Sequence, residues 1–229
     1  MFYDLHLHSA LSPCADNDMT PSTVVGLMVL AGAEVIAITD HNSARNLPAA
    51  KKAAENYNVK LIPGIEVNTS EEIHLLCYFK GVDEALKMGE MIYDSLPDII
   101  NDETIWGEQL VIDEEDEVID KVDKLLSTAS GFGIYELVKI VRELGGIAVP
   151  AHVDRDTYSL LSVLGFLPDD LDFEIIELQD VTKYAGYVEK GLLPEGLSVI
   201  SSSDAHSISR LKRDNLPVLG SNNPILSLT

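Results

Sequence analysis

Six histidines carry the chemistry that this chain advertises: His6, His8, His41, His74, His152 and His206. Each lies at the end of an apolar run, at the start of one, or in the loop beyond. The runs are Phe2–His8, Val35–His41, Ile147–His152 and Ser198–His206. Asp16, Asp40, Glu66 and Asp204 accompany them. Imidazole and carboxylate together are ligands for Zn, Mn or Fe. Residues two apart on a strand share a face, so His6 and His8 project together with Asp4 behind them, while Leu5 and Leu7 turn to packing. Asp204 and His206 repeat that spacing. Glu66 emerges from Pro63-Gly64-Ile65, where a carboxylate could bridge two ions, and His74 opens the next strand. One histidine at a strand end is usually a hydrogen-bonded structural residue. Six in such positions, accompanied by acids, point jointly to a metal site.

The elements that must position these groups alternate strand and helix. Strands are expected over residues 2–7, 35–39, 60–67, 73–79, 147–150, 173–178 and 197–201. Helices are expected over 21–31, 47–57, 83–96 and 134–144. Thr20 is the N-cap of the first, with Pro21 in its first turn. Repeated βα units imply a mainly parallel sheet, and about seven strands suggest a closed or nearly closed barrel. Strand ends are where such folds place their chemistry. Residues 97–130 break the rhythm with the acidic run Asp113-Glu114-Glu115-Asp116-Glu117. Val118, Ile119, Val122, Leu125 and Leu126 follow at helical spacing, so a helical insertion is expected there, a lid or docking surface or simply a solvated connection.

A chain of 229 residues with 46% hydrophobic content can bury one substantial core. Its formal net charge of −22 disfavours long nucleic acid, whose binding relies on Lys and Arg, and anionic membranes. A small phosphorylated substrate stays compatible, because bound divalent cations reverse the local field. The two cysteines, Cys14 and Cys77, make no disulfide framework, which fits a cytoplasmic protein. Cys14 is read as a free thiol, with ligation the alternative. The N-terminus lacks the basic and apolar segments of a signal peptide. The longest apolar stretch, Val24–Ala33, is too short to span a bilayer.

The set His6-x-His8, Thr39-Asp40-His41, Gly64-x-Glu66, His74, Pro150-Ala151-His152 and Ser203-Asp204-x-His206 resembles the polymerase and histidinol phosphatase (PHP) family, with the motifs in order from Asp4 to His206. The resemblance implies one α/β domain over 1–229, a distorted (β/α)7 TIM-like barrel with a metal site at the C-terminal strand ends. It implies two to three divalent ions (Zn, Mn or Fe), up to a trinuclear centre. By this resemblance His6, His8, Glu66 and Asp204 surround one ion. Glu66 shares a second with His74 and His152. His41, His206 and a ligand from the loop after His8 hold a third. Asp16 is the choice for that loop ligand and Asp18 the reserve. Asp4 and Asp40 are assigned to orienting imidazoles.

The implied activity is a metal-dependent phosphoesterase acting on a small phosphomonoester, a nucleotide or a very short oligonucleotide. Glu66, Asp204 and His206 are the candidate catalytic groups. Arg155 and Arg45 are the candidate phosphate contacts, since a guanidinium matches phosphate geometry; Lys183 and Arg210 are weaker ones. A DNA exonuclease, a non-catalytic metal-binding regulatory module and an amidohydrolase are the competing readings. Nothing in the sequence sets the oligomeric state.

Overall fold

The computed structural model describes residues 1–211 and 216–229. Strand β1 (Tyr3–Leu7) is followed by α1 (Pro21–Leu30), β2 (Val35–Ile38), α2 (Leu47–Tyr57), β3 (Lys60–Leu61), β4 (Gly64–Asn68), β5 (His74–Tyr78) and α3 (Val82–Ser95). After these come α4 (Glu103–Trp106), β6 (Leu110–Ile112), β7 (Val118–Lys121), α5 (Ile134–Glu143), β8 (Ile147–Pro150), α6 (Leu160–Leu164), β9 (Ile175–Glu177), α7 (Tyr184–Glu189) and β10 (Ser198–Ile200). The helix starts obey the sequence signals. Thr20 Oγ1 accepts the Thr23 N–H at 3.2 Å, which satisfies one of the orphan donors of the first turn of α1. Helix α2 buries Ala50, Ala53 and Ala54 and stops at Asn58, whose φ of 53° is the left-handed conformation of a helix C-terminus.

The strands depart from the expected parallel sheet. β1, β2 and β3 are parallel, as are β9 and β10. β5 runs antiparallel to both of its neighbours, β4 and β8. The reason is local: residues 69–73 form a tight polar turn, in which Thr69 N–H donates to Ile73 O at 2.9 Å. A turn that short returns the chain as a hairpin, whereas a parallel partner needs a crossover. Residues 60–67, expected as one strand, split at Ile62-Pro63 into β3 and β4, because Pro63 has no N–H for a ladder. Isolated bridges, Leu7 to Ala205 and His41 to Glu66, join the sheets. Among the described residues no ladder closes into a seven-stranded parallel barrel; the fold is mixed α/β.

The insertion is also corrected. Residues 97–130 hold one short helix, α4, and the antiparallel hairpin β6–β7 in place of an amphipathic helix. The acidic run is the hairpin turn. Asp113 Oδ1 accepts the N–H groups of Glu115 and Glu117 at 3.0 and 2.9 Å, the local capping that makes Asp a turn residue. Val118 and Ile119 are 53% and 62% exposed, whereas Val122, Leu125 and Leu126 are buried. The helical spacing of these five was therefore coincidental.

Two cores result. The larger packs α1, α2, α3 and α5 against the outer strand faces. A smaller central one gathers Leu5, Val35, Ala37, Leu76, Val149, Ile175 and Ile200 from six strands. Leu7 belongs to the larger core, because the β1–β2 register shifts between Asp4 and Leu7. No described helix is long and apolar enough to cross a membrane.

Candidate metal centre

Three joints bring the histidines together. The Leu7–Ala205 bridge, with His8 N–H donating to Ala205 O at 3.1 Å, sets the His6-x-His8 strand beside Asp204-Ala205-His206. The His41–Glu66 bridge, with Asn42 N–H on Glu66 O at 2.9 Å, aligns the end of β2 with β4. The β5–β8 ladder pairs Leu75 with Pro150, and Ala151 N–H donates to His74 O, so His74 and His152 become neighbours. Backbone strain marks the same places: His152 and Asp204 have φ values of 28° and 49°, which L residues rarely adopt and which the surrounding structure must hold.

Glu66 is the hub. Its Oε1 lies 3.2 Å from His6 Nε2, 2.8 Å from His74 Nδ1 and 3.3 Å from His152 Nε2. Its Oε2 lies 3.3 Å from His8 Nε2 and 3.0 Å from His41 Nδ1. Asp204 Oδ1 is 3.4 Å from His6 Nε2 and 3.3 Å from His8 Nε2. His6 Nε2, His8 Nε2, His41 Nδ1 and Glu66 Oε2 are buried without a hydrogen-bond partner. Unpaired buried polar atoms are costly, and lone pairs facing lone pairs need a cation between them. Two ligands each about 2 Å from one tetrahedral ion sit about 3.3 Å apart, which is the spacing found. The donor atoms form three groups: His6, His8, Glu66 and Asp204; His41, Glu66 and His74; and His8, His41 and His206. The donors present thus fit divalent ions.

The proton positions follow from the surrounding contacts. His6 Nδ1 lies 3.0 Å from Glu177 Oε2, which also accepts His152 N–H at 3.0 Å. A carboxylate can only accept, so His6 carries its proton on Nδ1 and turns the Nε2 lone pair inward. His8 Nδ1 lies 2.9 Å from Ser12 Oγ, whose hydroxyl donates to Asp40 Oδ1 at 2.7 Å. The same logic frees His8 Nε2. Burial pushes the Glu66 pKa up, but His74, His6 and His41 together hold it well below the usual carboxylate range. Burial outweighs Glu66 at His74 and brings that imidazole down to about 4.

Not every sequence expectation lands here. Asp16 lines the cleft, yet it joins none of the three donor groups; it is exposed, and its N–H holds His206 O at 2.9 Å. Asp18 is exposed as well. Arg155 is at the site, 2.7 Å from Asp204 Oδ2. Arg45 is not: its guanidinium pairs with Asp120 of β7 at 2.6 Å and borders a separate cleft. Arg210 lines the metal cleft, and Lys183 faces Asp154. Asp4 accepts His6 N–H and Ser203 N–H, and Asp40 accepts from Ser9 and Ser12. Both therefore fix backbone and loop and touch no imidazole directly. Sequence reading missed Glu177 and Ser12. A lone acid closing the apolar strand Ile175-Ile176-Glu177 was the available signal.

The cleft over the cluster measures ≈ 430 Å³, within the range of small-molecule sites. His74, which lines it, stacks on Tyr158 with ring centroids 4.9 Å apart.

Comparison with known proteins agrees with this geometry. The chain is 36% identical over 81 residues to the 5'-3' exoribonuclease Rnm of Salmonella typhimurium, a match covering 33% of this chain and 27% of that protein. It is 25% identical over 207 residues to a phosphoribosyl 1,2-cyclic phosphate 1,2-diphosphodiesterase of Eggerthella lenta, covering 88% of this chain and 73% of that one. The chain thus spans less than a third of the exoribonuclease it matches. The lesion-specific endonuclease PfuEndoQ from Pyrococcus furiosus superposes with a TM-score of 0.60 at 18% identity, over 90% of this chain and 48% of that one, a likeness of fold. A family model described as the PHP domain matches residues 4–157, more than half of the sequence, and on that match the chain belongs to the PHP domain family.

Proposed function

We propose that this protein is a metal-dependent phosphoesterase that hydrolyses a small phosphomonoester, a nucleotide or the end of a very short oligonucleotide. The observation that carries the reading is Glu66. Its two oxygens address different imidazoles, His6, His74 and His152 on one side and His8 and His41 on the other. That is the arrangement a carboxylate takes when it bridges two cations. Zn, Mn or Fe bound there would lower the pKa of water toward neutrality and offset the charge of a phosphoryl group. His6, His8, His41, His74, His152, Glu66, Asp204 and His206 are the ligands in this reading.

The remaining chemistry falls to the chain's own groups. Arg155, one-third exposed and anchored on Asp204, can keep one hydrogen bond to that carboxylate while offering others to phosphate oxygens. Arg210 is the second cation at the rim. His206 is the most exposed of the cluster's side chains, so it meets an arriving substrate first; with His206 and Asp204 holding ions, the departing alkoxide takes its proton from water. Glu177 and Ser12 hold the tautomers of His6 and His8. The distorted TIM-like barrel belongs to the same proposal, supported by the central core drawn from six strands. So do a cytoplasmic setting and a single domain with the hairpin as an insertion.

The competing nuclease reading rests on the exoribonuclease and endonuclease among the relatives. Tyr158 adds an exposed aromatic face on which a base could stack. The −22 charge opposes a long strand and leaves a short one acceptable. Phosphate release from a panel of phosphomonoesters, nucleotides and short 5′-phosphorylated oligonucleotides, with Mn²⁺ supplied, separates these substrates. Metal-dependent release that Asp204→Asn lacks supports the proposal. Full release after complete metal removal overturns it.

A further inference from the structure

Asn46 stands at the N-cap of α2, where an Asn side chain ordinarily accepts an N–H of the first turn. Here it makes no such bond. Its side chain is fully buried and committed elsewhere. Nδ2 donates to Ser9 Oγ at 2.9 Å and to Leu110 O at 3.1 Å, while Oδ1 accepts the Ile112 N–H at 2.9 Å. One amide thus joins three segments: the start of α2, the loop after β1 and strand β6 of the insertion. Strand β6 is tied to that loop a second time, since Leu110 N–H donates to Ala10 O at 2.8 Å and Ala10, Leu110 and Ile112 form a small apolar cluster of their own.

From Ser9 the hydrogen bonds run to the histidines. Ser9 Oγ donates to Asp40 Oδ2 at 2.6 Å, and Asp40 Oδ1 accepts Ser9 N–H and the Ser12 hydroxyl, each at 2.7 Å. The lone pairs of Ser12 Oγ then take the His8 Nδ1 proton at 2.9 Å and the His41 N–H at 3.1 Å. The direction is fixed along the whole chain of bonds, because the Asp40 carboxylate only accepts. Both hydroxyl protons go to Asp40, so Ser9 offers Asn46 a lone pair, and the amide must turn its nitrogen there. Ser9, Ser12, Asp40 and His8 are all buried, where water does not stand in for a lost partner. His6, whose proton is held by Glu177, lies outside this chain of bonds.

We propose that Asn46 is a positioning residue for the His8 side of the metal centre, the link through which strand β6 of the insertion holds the orientation and tautomer that His8 presents to a cation. The proposal rests on the reading of the cluster as a metal centre. The insertion then serves the site as a fixed brace. Asn46 touches no ligand itself and acts through Ser9, Asp40 and Ser12, as groups behind a metal-binding imidazole do. Two of the three donor groups include His8, so loosening this link weakens metal binding without removing a ligand.

The test is a Zn²⁺ titration of the metal-free protein against a competing chelator, with circular dichroism and melting temperature as checks on folding. The variants are Asn46→Ala; Asn46→Asp, which keeps the shape and removes both N–H donors; Ser9→Ala, which cuts the bonds toward Asp40 and leaves Asn46 on β6; and the Asn46→Ala, Ser9→Ala pair. Gln109→Ala is the control, since Gln109 bonds to Val122, Lys124 and Leu126 within the insertion and its loss loosens the insertion away from the link. The expected result is zinc affinity about 10-fold weaker in both Asn46 variants and in Ser9→Ala, with no further loss in the pair. Gln109→Ala binds zinc as the unaltered chain does, although it melts lower. A folded Asn46 variant that melts lower and binds zinc unchanged makes Asn46 purely structural and overturns the proposal. So do fully additive losses in the pair, which mean separate routes, and equal weakening by Gln109→Ala, which means general loosening. Should Asn46→Ala not fold, Asn46→Asp and Ser9→Ala are read alone, and unchanged affinity in either overturns the proposal. An unaltered chain that binds no zinc overturns the metal centre as well, so the two failures are distinct.

Discussion

The metal cluster and the acidic hairpin β6–β7 are both rich in charge and handle it in opposite ways. At the cluster, Glu66, His6, His8 and His152 are almost wholly buried, and their partner atoms meet in geometries that leave several unsatisfied. On the hairpin, Lys121 pairs with Glu103 and Glu108, and Arg45 with Asp120, with these side chains partly exposed to water. Exposed pairs contribute little to stability because water already solvates each charge. Buried ones act strongly on one another. The contrast teaches where substitutions will matter: the same chemical change should be severe at the strand ends and nearly silent on the hairpin.

Glu66→Gln is the strongest way to sharpen that contrast. The amide keeps the shape and loses the charge that faces two sets of imidazoles. Metal assistance contributes several kcal/mol to such reactions, so activity should fall on the order of 10³-fold, with fewer ions retained by elemental analysis. Next comes Glu177→Gln. It leaves every proposed ligand in place and weakens only the acceptor that fixes the His6 tautomer. A loss of about 10–100-fold in metal affinity or activity is expected, measured by metal titration; an unchanged affinity would remove Glu177 from the site.

Arg155→Met should cost about 10-fold or more, as expected for a lost charged hydrogen bond, appearing mainly in KM if the guanidinium holds substrate. Metal content should be unchanged. Proton competition gives a further test. Burial pushes the pKa values of His6 and His41 down, but Glu66 and its neighbours raise both well above the ordinary histidine value in the metal-free chain. Cations must displace those protons. Metal affinity should therefore weaken as pH falls and metal loading should release protons, which a pH-indicator titration reads directly. The smallest effect is Lys121→Ala, for which melting temperature, metal content and activity should all match the unaltered chain. A large change there would break the comparison.

Much of the site was legible before any coordinates. His6 and His8 with Glu66 and Asp204 converge as one donor group, because strand periodicity and strand-end position are local properties. Helix α1 likewise began where Thr20 and Pro21 placed it, and α2 spans the expected residues 47–57. What failed depended on turns and packing that periodicity does not carry. Val118 and Ile119 fit a helical pattern and a strand pattern equally, and the Asp113 turn decided between them. Arg45 sits four residues after His41 yet points at Asp120, since a loop's direction is set by what it packs against.

The sequence by itself determined the donor types, their pairing on individual strands and the membership of the PHP domain family, since each is written in residue identity and short spacing. Tertiary structure alone decided that β8 pairs with β5, that Glu66 stands at the hub and that Glu177 backs His6. The physical reason is that a side chain's reach spans a few ångströms in space. Which groups fall within that reach is fixed by sheet pairing between residues up to about two hundred positions apart, as Leu7 and Ala205 are.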